Sequence, residues 1–573
     1  MSSLARELSE LSVSAFRQES KYELPAPTRE AVVREIASHR TAILRLSTHL
    51  NSFATPARLP DELLCEIFRY YAVAKTEQPH ASPYAFIQIT HVCRYWRNVA
   101  LNFHPFWSQI QIMDDAKYTP CIEEMLIRSK KAPLMVTANI HVSTKSVSLK
   151  VFKLVAAQIH RVQFLDLTIP SVNFSGIAKF FGKKNATETL KSLRLVHYRN
   201  SRSGTKATSL EFPPCLLPRL EKLDTTDFSL DTIAPFAKAT VRSFIFKDSR
   251  TWGSQNHATS VDDLLRVIQK MPLLTTLSIL ASENLVSQKP KSRSQPIQLN
   301  NLESLKLYGF DVDQLTDFMS NVHFPVTTRL AITTHNQPSS PNRYGAVQIP
   351  LHLTSLLVKR MGGDQDDFGF HSASLNSSGS PNLQAWRNDD SEITDSVEPD
   401  FRLTLPNTNS TISLLEFFQD FTPLIYVHTL EMKSFEQHDL QSPSFAGFIS
   451  TLPNLKNLTI SSSTQYNIVV LLSAVFTSRK SLSLDTLHLN DITFVQYPPY
   501  NDPGAKVVVD ADGEYYKKGK FLAAHLARRI EMGNRLAIGK LIVRSCKLLD
   551  SNQVEGLRPF VENENLDWDG ERC

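Results

Sequence analysis

The sequence lacks a surplus of either charge. Lys and Arg number 62 against 57 Asp and Glu, a net +5 spread along 573 residues. That balance argues against the concentrated basic surface that holds nucleic acid or an anionic membrane. No apolar run reaches the roughly 18 residues of a membrane-spanning helix. Cysteine is scarce: Cys65, Cys93, Cys121, Cys215, Cys546 and Cys573. None has CxxC spacing, and none has a His at a zinc-finger distance in the expected order. They read as reduced, buried thiols of an intracellular protein. The opening stretch MSSLARELSELSVSAFRQES carries Glu7, Glu10 and Glu19 and no apolar core of a secretory signal. Prenylation needs a Cys fourth from the end, whereas Cys573 is last. Cytoplasm or nucleus is the expected location.

Recognisable catalytic chemistry is also missing. GEYYKKGKF (513–521) has one residue too many between its glycines for a phosphate-binding loop, and Phe521 stands where a Ser or Thr is required. No HExxH, no GxSxG and no dinucleotide fingerprint after a strand occurs. GGDQDDFG has three acids but neither the spacing nor the closing Glu of a calcium loop. The 17 His residues are scattered. The expectation is a protein that is not an enzyme, with no catalytic, cofactor-binding or metal-binding residues.

What is present is enough apolar sequence to fold, 42% of the chain. The length exceeds one compact domain, leaving several domains or an elongated repeat array. Residues 1–27 are polar and end in PAPT, a flexible tail. Residues 28–55 form an amphipathic helix, with Thr28 as cap and Glu30 in the first turn. Val32, Ile36, His39, Ile43, Leu46, Leu50 and Phe53 alternate at spacings of four and three, one apolar stripe about three heptads long. Two readings fit it: a coiled-coil dimer, or a helix lying on its own neighbouring domain.

LPDELLCEIFRYY (59–71) begins a second helix. Pro60 suits the first helical position, and Asp61 and Glu62 meet the positive helix end. Leu63, Leu64, Ile67 and Phe68 read as one apolar face. A long loop at 73–83 follows. Another helix carries Phe86, Ile89, Val92, Cys93, Trp96 and Val99, and Phe106 and Trp107 close the unit.

After residue 130 short LxxLxL strands recur: 162–167, 190–195, 220–225, 241–246, 274–279, 302–307, 327–332, 353–358, 427–432, 455–460, 484–489 and 538–543, with 132–140 an irregular first strand. Most steps between their central residues are roughly 21 to 33 residues, the range of leucine-rich repeats. Cys546 falls at the Asn/Cys position of the longer repeat form, which most other units lack. Capped helices lie between strands at 260–272, 311–322 and 442–453. Such units bury their apolar faces only by stacking. Residues 362–400, rich in Gly, Ser and Asp, read as a mobile insertion. The step from 487 to 541 reads as one enlarged repeat with a hairpin and a helix, and SQKPKSRSQP (287–296) as a solvated basic loop.

LPDELLCEIF…ITHVCRYWRNVAL…FW resembles the F-box, a motif of three packed helices, over residues 56–112. Helix, F-box and irregular leucine-rich repeats together resemble the F-box-like proteins abundant in mushroom-forming fungi. The resemblance implies an α/β protein: N-terminal helices and a three-helix F-box, then a curved leucine-rich-repeat solenoid over 113–560, with parallel strands on its concave face and helices outside, and a tail at 561–573. It also implies a role: the substrate-recognition subunit of a Skp–cullin–F-box ubiquitin ligase. The F-box would bind a Skp-type adaptor, and through it a cullin, while the repeats bind a protein substrate. Adaptor-binding residues are then Leu59, Pro60, Leu63, Leu64, Ile67, Phe68, Val92, Cys93 and Trp96; the substrate-binding residues are not legible. The competing reading is a non-catalytic interaction scaffold whose F-box-like helices cap the solenoid. The x positions of the strands, among them Lys191, Arg194, Glu221, Lys222, Arg242, Glu303, Lys306, Arg329 and Lys456, mix both signs and point to a polar protein surface.

Overall fold

The computed structural model describes residues 28–570 apart from 77–81, 141–146, 171–173, 183–187, 199–210, 215, 249–258, 282–284, 287–295, 335–348, 363–367, 389–396, 407–410, 436, 441, 465–466, 470, 472–480, 495–521, 523–534 and 550. The expected tail at 1–27, nearly all of the basic loop, and the hairpin and helix of the enlarged repeat lie outside the described residues.

The chain divides into two compact units, Met1–Gln111 with Lys117–Met135, and Ile112–Ala116 with Val136–Cys573. The first is helical. Its helices are α1 (Arg29–Ser52), α2 (Asp61–Thr76), α3 (Arg94–Asn102) and α4 (Thr119–Arg128). Thr28 caps α1 as expected, accepting from the Ala31 amide. Helix α4 carries this unit past the expected end at 112, because Arg128 lies over the Trp107 ring at 4.6 Å.

The second unit is a mixed α/β structure built on one large, mostly parallel sheet. Its strands are β1 (Leu134–Asn139), β2 (Val162–Pro170), β3 (Ser192–Tyr198), β4 (Lys222–Thr226), β5 (Ser243–Lys247), β6 (Thr276–Leu280), β7 (Ser304–Phe310) and β8 (Arg329–Thr334). They continue as β9 (Ser372–Asn376), β10 (Asn382–Trp386), β11 (Phe401–Thr404), β12 (Thr429–Lys433), β13 (Asn457–Thr464), β14 (Ser481–Thr493), β15 (Arg535–Arg544) and β16 (Leu566–Trp568). Strands pair in chain order except in the middle, where β8 meets β11, β11 meets β10, β10 meets β9, and β9 meets β12. β10 runs antiparallel to both β9 and β11, whereas the strand pairs from β2 to β8 and from β12 to β16 are parallel.

The central residues of the LxxLxL strands meet in register: Leu165 pairs Leu193, then Leu223, Phe244, Leu277, Leu305 and Leu330. The line continues through Phe401, Ala385 and Ala373 to Leu430, Leu458, Leu487, Leu541 and Leu566. All but the last are buried. A slip of one residue would turn the whole row to the opposite face, so burial fixes this register. The strand entries share a second regularity: the carbonyls of Lys191, Glu221, Arg242 and Thr275 each accept two amides from the start of the next strand. Helices join the strands where expected. Ser260 forms a capping box with Asp263 at Val261–Ile268, and Ser442 caps Pro443–Ser450.

Three expectations need correction. LTSLLV (353–358) is not a strand but part of the helix Leu351–Arg360. Pro350 sets its first turn, and the buried Leu353, Thr354 and Leu357 recur at helical spacing. The mobile insertion expected at 362–400 instead contains regular structure: its described residues supply β9 and β10, whose Ala373, Leu375, Leu383 and Ala385 are buried. These strands hold few large side chains, so their composition hides them. Finally, 561–573 is not simply a tail, because Leu566–Trp568 pairs with β15.

Candidate functional site

The region 56–112 is helical but differs in detail from the expectation. Helix α2 runs on through Thr76, so the first residues of the anticipated 73–83 loop are helical. The next helical stretch is split. A 3-10 segment, Ala85–His91, ends at Val92, and α3 starts afresh after Cys93. Cys93 is extended, and its Sγ accepts from the Trp96 amide at 3.5 Å, so it acts as the helix cap.

The interior is an aromatic cluster. The Phe68 ring lies 5.4 Å from Trp96 and 6.0 Å from Phe106, Phe86 stands edge-on to Phe106 at 5.0 Å, and Phe106 to Trp107 at 5.3 Å. Trp107 donates its indole N–H to the Ala100 carbonyl at 2.7 Å, which satisfies its one polar group. Tyr84 is bound to the Gln111 carbonyl, and burial pushes its phenol well above the ordinary range.

The expected face of α2 is in fact two stripes. Leu64, Phe68 and Ala72 are buried, with Leu64 and Phe68 at 0% exposure. Leu63, Ile67 and Tyr70 point outward, Leu63 53% and Ile67 43% exposed, in line with the exposed Pro60. Adjacent residues are rotated by about 100° on a helix, so LL and IF pairs place one member on each stripe. Of the nine expected adaptor contacts, Pro60, Leu63, Ile67 and Val92 are exposed; Leu59, Cys93 and Trp96 are half-buried; Leu64 and Phe68 are buried. Leu64 and Phe68 therefore build the core of this unit and, contrary to expectation, offer no surface to an adaptor.

Two residues were not anticipated. Tyr95 donates to the Asp61 carboxylate at 2.7 Å and reaches the Leu59 carbonyl at 3.0 Å. It thereby holds the start of α3 against the entry of α2 and fixes where Leu59 and Pro60 sit. That bond to Asp61 raises the Tyr95 phenol. Tyr70 extends the outward stripe. Its signal lay in the sequence, at seven residues from Leu63 and three from Ile67. Cys65 lies beside this stripe as a neutral thiol, raised first by burial and then by Asp61, Glu62 and Glu66.

The sheet unit presents a different surface. On the face opposite the leucine row, Arg194 bridges Asp166 at 3.0 Å and Asp224 at 3.5 Å across three strands. Lys306 pairs Glu398 at 2.5 Å, and Arg544 pairs Asp567 at 2.7 Å. Several of the strand charges, Arg194, Lys306 and Arg329 among them, are thus matched to acids nearby. Cys546 is fully buried with its Sγ 3.3 Å from the Arg544 carbonyl, and burial pushes its thiol up to about 11. Among the described residues no cluster of three or more His, Cys, Asp or Glu is arranged to hold a metal, and no helix is long and apolar enough to cross a membrane.

A comparison with curated proteins finds no match. The F-box-like family model matches residues 56–112, the segment built from α2, the Ala85–His91 turn, α3 and the aromatic cluster.

Proposed function

We propose that this chain is a substrate-recognition subunit of a Skp–cullin–F-box ubiquitin ligase. The single observation that carries the reading is the outward stripe Pro60, Leu63 and Ile67 within the F-box-like segment. F-box domains generally bind Skp-type adaptors, and a packed helical unit that leaves large aliphatic side chains in water has a surface suited to a partner. Each such side chain is worth roughly 1.5–3 kcal/mol when buried, so a few of them can anchor an interface.

In this reading the adaptor covers Leu59, Pro60, Leu63, Ile67 and Val92, with Trp96 at the edge, and the adaptor brings a cullin. The sheet unit is an irregular leucine-rich-repeat solenoid related to that of fungal F-box-like proteins, and it holds a protein substrate in the cytoplasm or nucleus. The in-register leucine row and the near-sequential strand order support it. Ubiquitin transfer belongs to other subunits, and this chain does no chemistry.

Affinity purification with mass spectrometry tests the proposal by comparing the wild-type chain with Leu63→Ala/Ile67→Ala. The wild type should recover a Skp-type adaptor and a cullin, and the variant neither, while both retain the same circular dichroism. Recovery of other partners without adaptor or cullin would favour the scaffold reading. Undiminished adaptor capture by the variant would overturn the site.

A further inference from the structure

Helix α1 has no buried residue anywhere along Arg29–Ser52. That departs from the rule that an amphipathic helix turns its apolar stripe to a core. The stripe is real. Val32, Ile36, Ile43, Leu46, Leu50 and Phe53 are between 38% and 71% exposed. The reading in which this helix lies on its own neighbouring domain is therefore not what is seen, and the stripe is left for something else.

The neighbourhood within the helical unit narrows the choice. A groove of about 390 Å³ lies between α1 and the start of α3, lined by Leu44, Thr48 and Asn51 on one side and Cys93, Arg94 and Arg97 on the other. Leu44 and Thr48 are rotated by roughly 100° or more from the stripe. The side of α1 that looks toward α3 is thus not the apolar side, and the stripe faces away from the groove.

We infer that the stripe of α1 is the seam of a parallel two-stranded coiled coil with a second copy of this chain. Spacings of four and three place Ile36, Ile43 and Leu50 at the a positions and Val32, His39, Leu46 and Phe53 at the d positions. Two of the three a residues are the β-branched Ile36 and Ile43, and the Ile43/Leu46 heptad has Ile at a with Leu at d, the pairing that favours two parallel strands over three or four. The flanks agree. Glu35 falls at g and Arg40 at the following e, the positions that meet across a parallel dimer, so opposite charges face each other twice by symmetry. The remaining flanking pairs, Ala42 with Ser47 and His49 with Ala54, carry no formal charge clash at neutral pH. His39 is the one polar residue in the seam, and it stands 3.8 Å from Glu35 of its own helix. A single polar layer fixes register at a cost in strength. A seam of about three heptads with one such layer gives a dimer that dissociates on dilution, not a permanent one.

The test uses the full chain. Light scattering after size exclusion should give twice 64.7 kDa at high micromolar concentration and fall toward 64.7 kDa on dilution. Ile43→Asp/Leu46→Asp should remain at the monomer mass at every concentration, with an unchanged thermal melt because neither side chain is buried. Glu35→Arg should weaken the dimer by about tenfold, since two attractive pairs become repulsive, and Glu35→Arg/Arg40→Glu should restore it. His39→Leu should tighten it. A wild-type monomer throughout would overturn the inference and indicate that the stripe is covered from within the chain. A dimer that survives Ile43→Asp/Leu46→Asp would also overturn it, and failure of the charge swap to restore association would refute the parallel register. Adaptor capture by the wild type is a separate readout, so failure of one proposal leaves the other standing.

Discussion

In the helical unit Leu63, Ile67, Val92 and the whole stripe of α1 face water, whereas in the sheet unit Leu193, Leu223, Phe244, Leu277, Leu305 and Leu330 form a sealed row. The same residue types serve two purposes. In the large sheet the strands align in register, so their inward residues form one continuous row that the elements packed on that face cover, and some outward charges find partners on adjacent strands, as Arg194 does with Asp166 and Asp224. In the helical unit α2 packs its inward stripe against the cluster around Phe68, Trp96 and Phe106. That cluster covers one stripe of α2 and leaves the next one out. An exposed apolar stripe in the first unit is therefore the feature on which the proposed partner contacts rest, whereas a matched charge in the second adds little.

The comparison is sharpened most by substitutions in the two cores. Phe68→Ala and Phe244→Ala should each cost about 3–5 kcal/mol, because both rings are fully buried. Each should lower the urea midpoint of its own unit, and a loss below about 1 kcal/mol at Phe68 would break the assignment of the inward stripe. Next in size is Gly309→Ala. Gly309 has φ +79° at the irregular end of β7, and an added Cβ would stand 2.2 Å from the Ala281 carbonyl oxygen. The expected cost is about 1–3 kcal/mol in the same urea experiment. Ser260→Ala removes one capping box and should cost about 1 kcal/mol. Smallest is Leu63→Ala/Ile67→Ala, expected to change stability by less than about 1 kcal/mol while removing adaptor capture. A large stability loss in that double variant would erase the difference between the two stripes.

Much of this was legible beforehand because it is periodic. The LxxLxL spacing located the strands β2 to β8 and β12 to β15, and the register of Leu305 with Leu330 and of Leu458 with Leu487 follows from it. Capping residues such as Thr28, Ser260 and Ser442 marked helix starts. Where the signal was composition alone, the reading failed. Residues 372–386 are mostly small and polar yet form two central strands, since backbone bonds on both sides and the buried Ala373, Leu375, Leu383 and Ala385 suffice to hold them. LTSLLV matched the strand pattern and is helical, because a six-residue apolar motif also fits a helix and the preceding Pro350 and its packing decide.

The amino-acid order by itself determined where elements lie, which residues are apolar at which period, and the F-box-like character of 56–112. It left undetermined which of two adjacent apolar residues turns inward. Leu63 and Leu64, or Ile67 and Phe68, are equivalent on any hydrophobicity scale. Only packing against Trp96 and Phe106 assigns one of each pair to the core and one to the surface. Likewise the stripe of α1 is present in the sequence, but that none of its residues is buried by the described residues is a property of the folded structure. Periodicity is local and survives in a string of letters, whereas burial depends on which distant segment arrives to cover a side chain.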